Sequence, residues 1–141
     1  MEEFITENKP RMGLVSLEAP LISNLNVCGN IAMIKEYHQN LPRREAEKLA
    51  LQYLRRYGME NTAYKRSPAL TNRERFCVML LRAAMVEDAI VVIDRPLTIM
   101  PDIKDASFID EAIKKIDDLF AQCYIFDYKW NKERYRMDYA C

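Results

Sequence analysis

The chain has 141 residues, half of them apolar, and its 21 basic and 21 acidic side chains cancel to a formal net charge of zero. A chain of this length and composition can bury one hydrophobic core, which predicts a single domain over residues 1–141. Without net charge there is no general attraction to nucleic acid or to an anionic membrane, so we expect neither as a partner.

Three segments have the composition of β-strands: residues 12–19 (MGLVSLEA), 89–94 (AIVVID) and 122–128 (QCYIFDY). Apolar periodicity predicts helices at about residues 27–38, 43–57 and 72–86. A loop marked by Pro96 and Pro101 follows the second strand, and a helix between Ile109 and Phe120 leads into the third. Short strands separated by helices predict an α/β fold with a parallel sheet.

The start of the helix at 72–86 contains a capping pattern. Thr71 and Glu74 have the spacing S/T-x-x-E, in which the hydroxyl and the carboxylate each accept a backbone N–H of the first turn. The amino end of a helix is also a natural seat for a phosphate. Because Thr71 and Glu74 can satisfy these N–H groups, we predict a helix start that needs no ligand.

The cysteines and the histidine do not have the spacing of a metal site. Cys28, Cys77, Cys123 and Cys141 include no CxxC pair, and His38 is the one histidine. We therefore expect no bound metal, reduced and mostly buried thiols, and a solvated His38 at a helix end.

The amino-terminal segment and the apolar runs favour a cytoplasmic location. MEEFITENKPRM is acidic and polar, whereas a signal peptide is basic and then apolar. The longest apolar runs are too short to span a bilayer, so no direct membrane insertion is expected.

Two long segments follow a known family pattern. MGLVSLEAPLISNLNVCGNIA matches IGxVFQxxPLLPxLTVxENVA without a gap, and LRRYGMENTAYKRSPALTNRERFCVMLLRAAM follows the helix, turn and signature segment of the same family. In order and spacing, nearly the whole chain resembles the nucleotide-binding domain of ABC transporters. The resemblance implies a small parallel-sheet remnant of a P-loop ABC ATPase core, at about residues 12–26 and 87–141, with a helical subdomain at about 27–86.

The resemblance also implies that the catalytic groups are lost. No Walker A motif, GxxxxGKS, occurs in the sequence. The glutamine of the family's Q-loop falls at Leu17, its catalytic glutamate at Arg95, and its switch histidine near Tyr128, or at Asp127 if the register shifts by one. An arginine has no acceptor and keeps its proton, so it cannot activate water.

The remaining family positions are degenerate. Asp94 retains the Walker B aspartate, which we interpret as a hydrogen-bonded residue at a strand end rather than a magnesium ligand. Arg95 is expected to pair with a neighbouring acid. The signature falls on residues 71–74, where Asn72 and Arg73 replace glycines that let a phosphate approach the backbone. We therefore expect no catalytic residues and no cofactor.

These departures predict a catalytically inactive ABC-ATPase-like protein that acts as a binding or regulatory module. Its expected partner is a transporter membrane subunit or an ATPase subunit, bound through residues 20–30. Two alternatives stay open at this point. The chain is half of a split ATPase that receives Walker A from a second polypeptide, or it is a gene remnant or small domain without a transporter role.

The third strand and the tail are the segments from which the oligomeric state is predicted. In the family the Walker A strand lies beside the strand at residues 123–127, so its absence predicts an edge there with unpaired backbone groups. Either the tail covers this edge or two copies pair there, and a homodimer is slightly favoured. The tail, YKWNKERYRMDYAC, mixes bases and aromatics; we interpret it as a packed amphipathic segment rather than a binder of single-stranded nucleic acid.

Overall fold

The computed structural model describes residues 11–135 and has a mixed α/β fold. Its sheet has three parallel strands, β1 (Met12–Val15), β2 (Ile90–Asp94) and β3 (Gln122–Phe126), in the order β1-β2-β3. Gly13 of β1 is in register with Val91 of β2, which is in register with Cys123 of β3. The predicted α/β class and the parallel arrangement are confirmed.

Two strands are shorter than predicted because side chains turn the backbone at their ends. β1 stops at Val15, not at residue 19, since the backbone carbonyl and the hydroxyl of Ser16 accept the N–H groups of Ala19 and Glu18. β3 stops at Phe126, where the Asp127 carboxylate accepts the next backbone N–H. Such local side-chain bonds compete with sheet pairing.

The helices before β2 lie close to their predicted positions, whereas the helix predicted to reach Phe120 ends at Lys114 and is followed by a 3-10 turn at Asp117–Leu119. The α-helices are α1 (Val27–Gln39), α2 (Arg43–Leu54), α3 (Asn72–Ala84), α4 (Pro96–Ile99) and α5 (Ser107–Lys114). The helix predicted to reach residue 57 ends as a 3-10 turn, closed by Gly58 at φ 65°, a left-handed conformation that glycine adopts readily. The predicted loop after β2 instead contains the single turn α4, which begins at a proline.

The core is centred on α3, which packs against β1, β2 and α1. Phe76, Leu80 and Leu81 of this helix are fully buried. A Cβ atom at Gly13 would lie 2.2 Å from the carbonyl oxygen of Ala83. Glycine at this position is therefore what allows β1 and α3 to lie so close together.

Among residues 11–135, β3 is at the end of the sheet order, as predicted for this strand. The expectation of an open edge is corrected, however, because Cys123, Tyr124 and Phe126 already have interaction partners. The homodimer expected from the sequence stays a prediction. A 3-10 helix at Lys129–Tyr135, here called the tail helix, contacts the loop before α5 through Arg134.

Other predictions concern membranes and thiols. Within residues 11–135, no helix has both the length and the apolar character needed to cross a membrane. The thiols of Cys28, Cys77 and Cys123 are buried and form no disulfide, as predicted. Predictions for Cys141 and for the end of the tail lie outside the described residues.

Candidate functional site

The candidate site lies at the edge where the carboxyl ends of the three parallel strands meet. Ligands of open α/β sheets bind at this edge. Glu18 follows β1, Asp94 ends β2 and is followed by Arg95, and Tyr128 follows β3. The structure joins these four residues in a network of contacts, here called the Arg95 cluster. Leu17 precedes Glu18 in the same turn, and its side chain is 58% exposed.

Arg95 connects the loops that follow all three strands. Its Nε and Nη2 atoms donate to the two carboxylate oxygens of Asp94, at 3.1 and 3.0 Å. Nη2 also lies 3.4 Å from Glu18 Oε1, and Nη1 donates to the Tyr128 hydroxyl at 3.0 Å. The prediction that Arg95 pairs with a neighbouring acid is confirmed.

The groups around the Arg95 guanidinium favour its charged form. Hydrogen bonds to Asp94 and then to Tyr128, together with the negative charge of Asp94, raise the pKa of Arg95 above its ordinary value. The Asp94 side chain is buried, and it also accepts the Ser16 hydroxyl at 3.3 Å. Asp94 is therefore a hydrogen-bonded strand-end residue, as predicted, and both of its oxygens are engaged.

The backbone at Arg95 has a conformation that nothing in the local sequence predicts. Its φ and ψ angles are 49° and 59°, in the left-handed region that residues other than glycine rarely adopt. The Arg95 N–H donates to the Phe126 carbonyl at 2.7 Å, and the Arg95 carbonyl accepts the N–H and the hydroxyl of Thr98. These bonds to β3 and α4 hold the strained turn in place.

The amino end of α3, at residues 71–74, is closed by its own side chains. Thr71 Oγ1 accepts the Glu74 N–H at 3.1 Å, and Glu74 Oε1 accepts the Thr71 N–H at 2.9 Å, which confirms the predicted capping box. The Asn72 amide donates to Asp102, and the Arg73 guanidinium lies 5.1 Å from the centre of the Phe108 ring.

Arg75 is a residue that the sequence reasoning missed. Its guanidinium donates to the Ser67 hydroxyl, to the carbonyls of Ser67 and Leu70, and to the Asn72 side chain. It thereby ties the turn before α3 to the first turn of the helix. An arginine four residues after the cap Thr71 could have indicated this role, because a side chain of this length can reach the carbonyls of the preceding turn.

A groove lies on the surface formed by α1 and the loop before it. Its volume is about 430 Å³, and its lining is mainly apolar with one acid and one base: Ile22, Leu25, Gly29, Met33, Glu36, Tyr37 and Arg43. The Tyr37 side chain is 82% exposed. This groove overlaps the surface at residues 20–30 that the sequence predicts to bind a partner.

The loop that borders the groove is held by a buried amide. Asn30 Oδ1 accepts the Ile22 N–H at 2.8 Å, and its Nδ2 donates to the carbonyls of Ile22, Leu25 and Asn26. Arg82, also buried, donates to the carbonyls of Ala19 and Pro20. These bonds satisfy the buried backbone groups and hold the groove in one shape.

No cluster of metal ligands lies in the part of the chain that the structure describes: residues 11–135 contain no group of three or more His, Cys, Asp or Glu side chains placed to hold an ion. His38 is exposed in the last turn of α1, where it was expected.

Comparison with models of known protein families gives no match, and the search of curated proteins likewise finds no match.

Proposed function

We propose that this chain is a catalytically inactive relative of the ABC-transporter ATP-binding domain and acts as a binding module on a transporter membrane subunit or ATPase subunit. The ungapped order of family motifs supports the relationship. A parallel sheet whose middle strand ends in Asp94 is consistent with it. The helix start at Thr71, which is closed by side chains, fits a signature that no longer receives a phosphate.

The observation that carries this proposal is the Arg95 cluster. Hydrolysis by this family needs a group that orients or deprotonates water, and such a group must accept a hydrogen bond. At this position the chain has a guanidinium that donates to Asp94, Glu18 and Tyr128. A Walker A loop supplied by a second polypeptide would not provide the missing acceptor, which argues against a split ATPase.

The first prediction is that the protein neither binds nor hydrolyses ATP in the presence of magnesium. The expected result is no saturable heat in a calorimetric titration at high micromolar nucleotide, because the site lacks Walker A and its acid is paired with Arg95. An active ABC ATP-binding domain measured in parallel is the positive control. A saturable isotherm for this chain would contradict the proposal.

The groove on α1 is the proposed docking surface for the partner. Its apolar lining and its exposed tyrosine suit an amphipathic helix that lies in a groove. Tyr and Arg are the residue types that often carry binding energy in interfaces, and here Tyr37 and Arg43 line the groove together with Glu36. The loop held by Asn30 means that the groove exists before the partner arrives, which lowers the entropic cost of binding.

The second prediction tests this surface by crosslinking. A photoreactive amino acid replaces Tyr37, and in a control protein it replaces Tyr64, which is 74% exposed but does not line the groove. In cells that produce the chain, we expect position 37 alone to crosslink to a transporter membrane subunit or ATPase subunit, identified by mass spectrometry. Equal crosslinking from both positions, or products without a transporter component, would refute the docking proposal.

A further inference from the structure

The tail helix is anchored to the domain by one of its faces. In a 3-10 helix, residues three apart lie on the same face. Asn131 is buried and donates to the Asp127 carboxylate, and Arg134 donates to the carbonyls of Ile103 and Lys104. These two residues form the anchored face. The side chains on the other faces are therefore presented by a helix with a defined orientation.

Trp130 lies off this anchored face and is 75% exposed. Its ring stacks on the Tyr128 ring, with centroids 4.2 Å apart and planes at 9°. Tyr128 is in turn held by the Arg95 guanidinium, whose central carbon lies 5.7 Å from the ring centre. A large aromatic side chain is thus supported in an exposed position, although its burial would be favourable.

Two lysines accompany Trp130 on the tail helix. Lys129 and Lys132 are exposed and share a face because they are three residues apart. Within residues 11–135, neither side chain has a hydrogen bond or an ion pair with another described residue. Glu133, one turn after Trp130, already has an interaction partner. The surface around the exposed ring therefore has two cations available for an acidic partner.

We infer that Tyr128, Lys129, Trp130 and Lys132 form a second docking site, here called the tail platform, for an acidic peptide segment with an aromatic or aliphatic anchor. The anchor packs on the exposed ring of Trp130, and its flanking carboxylates pair with the two lysines. Tryptophan is one of the residue types that are enriched among interface hot spots. Two lysines on a chain of zero net charge favour an acidic peptide over the phosphate backbone of a nucleic acid, which needs many cations.

The inference can be tested with the whole chain and a labelled polymer. The probe is a fluorescein-labelled random copolymer of glutamate and tyrosine, and its anisotropy is measured as protein is added. We expect saturable binding, and with the unlabelled copolymer a shift in the emission of Trp130, the one tryptophan of the chain, over the same concentrations.

Matched variants separate the tail platform from general surface effects. Trp130→Ala and the double variant Lys129→Glu/Lys132→Glu should each weaken binding at least about tenfold. The controls are Tyr64→Ala and Lys48→Glu/Lys65→Glu, which change similarly exposed side chains elsewhere and should bind as the wild type does. Circular dichroism and thermal melting establish that each variant is folded.

The other outcomes overturn the inference. Absence of saturable binding, or equal weakening by the control variants, shows that the tail platform is not the site. Equal affinity for polyglutamate without tyrosine shows that no anchor is bound. Tighter binding of an oligothymidylate than of the copolymer shows that the ligand is a nucleic acid and not an acidic peptide.

Discussion

At the scale of single residues, Arg95 determines which side chains are paired at the carboxyl edge of the sheet. Its side chain contacts groups that follow all three strands, and its backbone has a left-handed conformation. The cation also balances Asp94, a buried carboxylate with one other described partner, the Ser16 hydroxyl. At this position Arg95 therefore acts as a structural cross-link between the loops that follow the strands.

The third prediction is that Arg95→Glu, which introduces the glutamate of the ABC-transporter pattern that the sequence resembles, lowers stability and produces no ATPase activity. The new carboxylate would face Asp94 and Glu18 instead of pairing with them, and like charges repel at short distance. Thermal melting should show a lower midpoint than that of Arg95→Lys, a control that keeps the positive charge. A midpoint at or above the wild-type value would mean that the Arg95 cluster does not stabilise the fold.

At the scale of elements, the start of α3 is a helix end that its own side chains close. Thr71 and Glu74 satisfy two of the N–H groups that a phosphate would otherwise meet. The Glu74 carboxylate also brings negative charge to this end of the helix, where it interacts favourably with the helix dipole but repels an anion. Capping and phosphate exclusion therefore follow from the same two side chains.

The fourth prediction is that Thr71→Ala destabilises the protein by about 1 kcal/mol, the usual effect of losing a helix cap. Thr71→Ser keeps the hydroxyl and should stay close to the wild type. Changing residues 71–74 to Ser-Gly-Gly-Gln should also lower the denaturant midpoint without creating nucleotide binding, because Walker A is still lacking. Unchanged midpoints for both Thr71→Ala and the fourfold variant would show that the cap does not stabilise α3.

At the scale of the whole molecule, the packing around α1 and α3 buries ionisable thiols. Burial raises the pKa of Cys28 to about 11, and the charges of Glu47 and Glu36 act in the same direction. Burial also raises the pKa of Cys77 to about 12, against a smaller opposing effect of Lys115. Both thiols therefore stay protonated over the pH range in which ordinary cysteines react.

The fifth prediction is a loss of stability in alkaline solution. Unfolded thiols ionise near pH 9.0, whereas the folded values are about 11 and about 12. Between these values the unfolded state binds fewer protons than the folded state, so the free energy of unfolding falls as pH rises. The contribution of the two thiols to the stability of the folded state is fully present below pH 9.0. It is lost as the pH rises from 9.0 through the folded pKa values of about 11 and about 12.

Denaturant titrations over this range would measure the effect. The double variant Cys28→Ala/Cys77→Ala should show a weaker dependence of the unfolding free energy on pH than the wild type. The wild-type thiols at these two positions should also react with a thiol reagent mainly after unfolding. Equal pH dependence in the two proteins would show that these cysteines are not the groups responsible.

Local patterns in the sequence were sufficient to predict the elements and the capping box. Periodicity and strand composition placed three strands and the three helices before β2 within a few residues, because these features depend on near neighbours along the chain. The interaction of Thr71 with Glu74 spans three residues and was predicted for the same reason. Arg95 was correctly expected to pair with an acid, since Asp94 is adjacent in sequence.

The remaining contacts of the candidate sites were decided by the tertiary structure alone. Arg95 meets Glu18 and Tyr128 across 77 and 33 residues, and it does so because parallel strands bring their carboxyl ends to one edge. The tail helix is oriented by Arg134, which binds carbonyls about thirty residues earlier in the chain. No local pattern encodes such pairs, because the energy that favours them exists only after the sheet has formed and the loops have been brought together.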